Sequence, residues 1–93
     1  MAKSVFTSNY KRLRDSLVHA RKTSGLTQLD LAKKLSRPQS FVSKYERGER
    51  RLDIIEFIEI AQAVGMDAVN FVRTLQTALN VKKSSRIRED SSH

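Results

Sequence analysis

The stretch from Thr27 to Gly48, TQLDLAKKLSRPQSFVSKYERG, constrains the fold more than any other part of this chain. Leu31, Ala32 and Leu35 recur at helical spacing in its first half, and Val42 and Tyr45 stand three apart in its second. Each half therefore presents one narrow apolar face. Between them stands Pro38, the single proline of the sequence. Proline lacks an amide hydrogen and drives the residue before it, here Arg37, toward an extended backbone. One helix must stop and another start at Ser36-Arg37-Pro38. The second helix is polar at Gln39, Ser40, Ser43 and Lys44, with amide, hydroxyl and ammonium groups of the kind that reach base edges and phosphates.

The flanks predict three more helices. Residues 1–8 read as a polar lead-in, with Thr7 or Ser8 able to cap a first helix from Asn9 to about Lys22. Tyr10, Leu13, Leu17 and Ala20 form its buried stripe, and Thr23-Ser24-Gly25 ends it. Thr27 caps the second helix, with Asp30 at the reciprocal capping-box position, and that helix runs to about Leu35. The third spans about Gln39 to Arg47 and is closed by Gly48. Asp53 and Glu56 form a capping box for a fourth helix, with Ile54, Phe57, Ile58, Ala61 and Val64 as its apolar stripe and Gly65 at its end. Asp67 caps a fifth through about Leu79, carrying Phe71, Val72, Leu75 and Leu79. No segment alternates with period two and no repeat is present. The expected architecture is all-α, a compact domain of five short helices over residues 9–79. A polar, Ser-rich tail over residues 80–93 is expected to be disordered.

A chain of 93 residues has one core at most. It contains no cysteine, which removes disulfides, thiolate metal sites and thiol nucleophiles, and suits a cytoplasmic protein. Its two histidines, His19 and His93, are far apart; Asp15 and His19 stand at i and i+4, the spacing of an ordinary surface contact. No phosphate loop, metal-ligand cluster or nucleophile motif appears, so neither an enzyme nor a cofactor or metal is expected. No apolar run reaches the roughly 20 residues of a membrane span, and no signal peptide is seen. The net charge of +8 is unevenly placed. Residues 1–26 carry net +5 and residues 27–52 net +4, whereas residues 53–79 carry net −3 and residues 80–93 net +2. A basic first half followed by an acidic segment is the footprint of a domain with one face toward a polyanion.

LTQLDLAKKL, then SRPQSFVSKYERGER, then IIEFIEIAQAVGMD resemble the phage-repressor and Cro type of helix-turn-helix domain, the xenobiotic-response-element family, over about residues 10 to 75. The resemblance implies a lambda-repressor-like five-helix fold whose third helix lies in the major groove of double-stranded DNA. It implies that Gln39, Ser40 and Lys44 face bases. Gln28 would hold a phosphate and can buttress Gln39. Ser43, Arg37, Arg47, Arg50 and Arg51 are phosphate candidates, about half of the arginines being expected to touch DNA. Phe41 stands where the family has a small or hydroxyl residue; it either meets thymine methyls and sugars or folds back onto the domain. Arg21 and Glu46 match a family ion pair joining the first and third helices. Ser36 replaces a frequent turn glycine, which calls for a left-handed non-glycine residue or a different turn. Pro38 replaces a hydroxyl cap.

The function implied is that of a bacterial or phage-encoded, cytoplasmic, sequence-specific transcriptional regulator, acting as a homodimer on a pseudo-palindrome. Val72, Leu75 and Leu79 suit either a dimer face or the intrachain core. The alternative is an antitoxin or other protein-interaction module, with a small toxin as partner, that also binds its own operator.

Overall fold

The computed structural model describes residues 2–80. They form α1 (Ala2–Thr23), α2 (Gln28–Leu35), α3 (Gln39–Glu46), α4 (Ile54–Val64) and α5 (Ala68–Asn80), with no strand among them. The tail predicted from residue 80 onward lies, Asn80 apart, outside the described residues. The lead-in predicted over residues 1–8 needs correction, because α1 already begins at Ala2. The chain holds neither Gly nor Pro before Gly25, and a hydroxyl able to cap a helix can also sit inside one, so nothing at Thr7 or Ser8 interrupts the ladder.

The caps around the central pair follow from the side chains. Thr27 accepts from the Asp30 amide at 3.0 Å, and Asp30 accepts from the Thr27 amide at 2.9 Å. The turn after α2 is made by Ser36 in the left-handed region, at φ 57° and ψ 44°. Its amide donates to Lys33, and the Arg37 amide to Ala32, which satisfies the last carbonyls of α2. A residue with a Cβ costs about 1–2 kcal/mol in this region. α3 starts at Pro38, extended at ψ 152°, with no side-chain cap. Gly48 follows α3 at φ 82°, and the Arg14 guanidinium of α1 lies where a Cβ on Gly48 would be. A side chain there would be strained by its backbone and would displace Arg14.

The core is drawn from the first four helices: Leu17 of α1, Leu31 and Ala32 of α2, Val42 and Tyr45 of α3, and Phe57, Ile60, Ala61 and Val64 of α4. Tyr45, Leu17, Leu31, Ile60 and Val42 are the largest fully buried side chains, each contributing about 1.5–3 kcal/mol by burial. Leu13 and Ala20 pack at the margin of this cluster, and Phe71 of α5 meets Phe57 at 5.9 Å between ring centroids. The Tyr10 hydroxyl accepts from the Leu52 amide at 3.1 Å, pinning α1 to the loop before α4.

The predicted stripe of α4 is partly wrong. Ile60 is fully buried, while Ile54 and Ile58 are 60% and 37% exposed. The helix IIEFIEIAQAV is apolar around most of its circumference, so periodicity alone does not select a face. Packing selects Phe57, Ile60, Ala61 and Val64, at i, i+3, i+4 and i+7.

Candidate nucleic-acid interface

Two carboxylates organise the surroundings of α3. The first is Glu46. Arg21 donates to it through Nε at 2.7 Å and Nη2 at 3.0 Å, and gives Nη1 to the Leu26 carbonyl at 2.8 Å. Gln28 adds a third donor from its side-chain amide, at 2.9 Å. Glu46 thus ties α1, α2 and α3 together at a buried point. The hydrogen bonds to Glu46 hold the Arg21 guanidinium pKa above its ordinary value. Gln28 is turned toward Glu46, and no hydrogen bond joins it to Gln39 among the described residues. The expected buttress is therefore corrected. An anionic acceptor attracts the amide donor more strongly than a neutral side chain does.

The second carboxylate is Glu56, also buried. It completes a capping box with Asp53, accepting from the Asp53 amide at 2.9 Å. The same group receives Arg50 in a two-pronged pair, both contacts at 2.9 Å. Arg37, from the turn before α3, approaches it at 3.6 Å and Glu59 at 3.6 Å. Hydrogen bonds from Arg50 and from the Asp53 amide hold the Glu56 carboxyl below the usual range, so it is ionised at neutral pH.

Phe41 lies between the two arginines. The Arg37 guanidinium sits 4.5 Å from its ring centroid and that of Arg50 4.8 Å. The ring is 8% exposed and meets Tyr45 edge-on at 5.6 Å. Of the two placements open to Phe41, the structure adopts the one folded onto the domain, where it supports α3 beneath Arg37 and Arg50. Core burial together with two cation–π contacts outweighs exposure of the ring.

Other expected phosphate ligands also have internal partners. Arg47 pairs with Glu49 at 2.9 and 3.0 Å and donates to the Ser43 hydroxyl at 2.8 Å, all at the surface. Arg51 has no carboxylate partner among the described residues and stacks over Tyr10 at 4.5 Å. By contrast, Gln39, Ser40 and Lys44 are exposed, and their side chains make no hydrogen bond or ion pair among the described residues. α3 therefore presents one open polar face within a ring of committed side chains.

Two residues of this region were missed in the sequence. Arg14 carries no signal in the local sequence, yet it reaches the loop after α3 at Gly48. No local pattern carries that signal, because it arises from the packing of α1 against the loop. Glu56 was read as a cap alone; its six-residue separation from Arg50 was the available hint.

The helix-turn-helix family model matches residues 18–69, more than half of the chain and the whole of α2 and α3. The chain belongs to the Cro and C1 type of helix-turn-helix family. This helix-turn-helix domain is similar to a solved structure described as an XRE-family like protein from Pseudomonas syringae pv. tomato str. DC3000. The two are 43% identical, with a TM-score of 0.78, over 83% of this chain and 94% of that one. It is also 35% identical over 65 residues to an uncharacterized HTH-type transcriptional regulator, y4dJ, of Sinorhizobium fredii, spanning 70% of this chain and 75% of that protein. The helix-turn-helix domain binds double-stranded DNA, as its family does. No helix among the described residues is long and apolar enough to cross a membrane.

Proposed function

We propose that this helix-turn-helix protein is a sequence-specific transcriptional regulator that lays α3 in the major groove and reads bases with Gln39, Ser40 and Lys44. The observation that carries the reading is the contrast around α3. These three side chains are exposed and uncommitted, while Gln28, Arg37, Ser43, Glu46, Arg47 and Arg50 are held by internal partners. Gln39 can pair with adenine through both amide atoms, Lys44 with guanine O6 and N7, and Ser40 with either base. Phosphate contact falls to Gln28, which keeps one amide hydrogen free beside the α2 N-terminus, to Arg51, and to the outer edges of Arg37, Arg47 and Arg50. Arg14 joins this set by its position at Gly48. The name of the Sinorhizobium relative supports a regulatory role.

The regulator acts as a homodimer on a pseudo-palindrome, with half-sites about one DNA turn apart. Val72 and Leu79 support this, being 43% and 45% exposed on α5, with Leu75 half-buried between them. Selection of bound duplexes from a random pool tests both parts. A two-fold symmetric site, bound by two copies, is expected. A featureless pool whose binding follows salt alone would overturn base reading, and a lone half-site bound by one copy would overturn the dimer. Gln39→Ala should relax preference at one base pair, at a cost of about 1–3 kcal/mol. Equal losses on selected and scrambled duplexes would remove Gln39 from the reading set.

A further inference from the structure

We propose that Glu56, a buried residue of α4, is a specificity-determining residue: it holds Arg50, and with Glu59 Arg37, across Phe41 and so restrains both from indiscriminate phosphate binding. The inference rests on the DNA-reading role proposed above.

Glu56 belongs to α4, outside the helix-turn-helix pair, and is 7% exposed. The two arginines it holds come from either side of α3, Arg37 from the turn before it and Arg50 from the loop after it. Between them lies Phe41, in the first turn and a half of α3. Glu56 therefore fixes the pose of Arg50 and shares Arg37 with Glu59, and through the ring between the two cations it bears on the angle of the reading helix. Arg50 spends three donor contacts internally, two on Glu56 and one on the Arg51 carbonyl. The side chains of Arg37 and Arg50 remain 35% and 40% exposed, so both stand at the surface and are held by their partners, not by burial.

Released from Glu56, Arg50 becomes a flexible cation beside α3, and Arg37, left with Glu59, is less tightly held; both would find phosphates on any duplex. A complex that ignores sequence tolerates many arginine poses. A specific complex needs phosphates and base edges met in one register. The restraint therefore weakens non-specific binding more than it weakens specific binding.

Glu56→Gln isolates this effect. Glutamine serves at the third position of a capping box as glutamate does, so the Asp53 amide keeps an acceptor while the charge is removed. Affinity should be measured by fluorescence anisotropy across a salt series, on a duplex selected from the random pool and on a scrambled duplex of equal length. For each arginine released, the scrambled duplex should show a salt slope steeper by about 0.9, and at 0.1 M salt an affinity roughly tenfold higher. The selected duplex should gain less, so that the ratio of the two affinities falls roughly tenfold. In the Glu56→Gln background, Arg50→Gln should return the slope by about 0.9. A residue that merely supports the fold would weaken both duplexes together.

Parallel loss on both duplexes, or an unchanged ratio and slope, would overturn the proposal. Should Glu56→Gln fail to fold, Arg37→Gln/Arg50→Gln in the otherwise intact protein carries the test. Restrained arginines contribute little to the scrambled complex, so its slope should change by well under the roughly 1.8 expected of two free contacts; a change of that full size would overturn the restraint. A wild-type protein that binds both duplexes alike would overturn the DNA-reading role itself. Discrimination by the wild type with no change in Glu56→Gln would overturn only the role of Glu56.

Discussion

Replacing Arg21 with methionine probes the junction that fixes α3. The substitution keeps a long apolar stem and removes the guanidinium. It deletes both contacts to Glu46 and the one to the Leu26 carbonyl. Among the described residues Glu46 then keeps only the Gln28 amide as a partner, at a site where the paired side chains are 9% and 6% exposed. An unpaired carboxylate at this depth costs about 3–5 kcal/mol. For a domain of this size, each kcal/mol moves the midpoint of thermal unfolding by about 4–8 °C, so Arg21→Met should lie close to unfolding at growth temperature. Converting Glu46 to methionine as well removes the stranded charge, and the double variant should regain most of the loss. Urea denaturation of the wild type, the two single variants and the double variant measures the coupling directly. DNA affinity should not return in the double variant, because the three-helix junction stays absent. A single-variant loss under about 1 kcal/mol would refute the reasoning, for it would mean that water screens the pair as it does at an open surface.

Three further outcomes are expected. Ser36→Gly relieves the left-handed strain at φ 57° and should stabilise the domain by about 0.5–1 kcal/mol after the added freedom of the unfolded chain is counted; a lower urea midpoint would contradict it. Tyr45→Phe removes a buried hydroxyl that has no hydrogen-bond partner among the described residues, so its stability should be unchanged or higher by about 1 kcal/mol. Burial pushes the Tyr45 phenol above its ordinary 10.0, so the associated stability is complete below that pH and is lost as pH rises toward the folded value. Tyr45→Phe should remove that alkaline limb, and a limb that persists would assign it elsewhere. The Glu56 carboxyl is held below its ordinary 4.5. Its contribution is complete above that pH and disappears as pH falls through 4.5 and on through the lower folded value. Glu56→Gln should flatten stability against pH in this window, and an unchanged acid limb would show that other carboxylates dominate it.

Much of the molecule was legible from local chemistry. The breaks at Ser36-Arg37-Pro38 and the capping boxes at Thr27 and Asp53 depend on side chains within a few residues of the backbone they control, and the structure shows both boxes. The positive φ of Ser36 was one of two options that the residue type left open, and the fold takes it. What local chemistry leaves open or misplaces involves residues whose partners are remote. Phe41 turns inward because Arg37 and Arg50 flank it, a relation set by tertiary packing. Ile60 replaces Ile54 and Ile58 in the core because α4 is apolar on several sides, so only its neighbours decide which side is covered. The start of α1 was displaced for the opposite reason: a capping-type hydroxyl was taken as a stop where no breaker exists. The carboxylate that holds Arg37 and Arg50 is not legible in the sequence, because only the packing of α4 brings Glu56 to them.

α2 and α3 are eight residues each, well below the roughly 12–15 at which an isolated helix becomes even marginal in water. Their order comes from Leu31, Val42 and Tyr45 packed in a shared core and from Glu46 held by residues 18 and 25 positions away. An excised peptide of residues 27–48 should show little helix by circular dichroism. The surface that α3 presents is thus an all-or-none property of the domain. Backbone opening that breaches the core removes the surface altogether, and no partly folded form retains weak discrimination. Hydrogen exchange at the α3 amides should accordingly follow the global unfolding equilibrium, with proteolytic sensitivity and loss of DNA binding appearing at the same denaturant concentration.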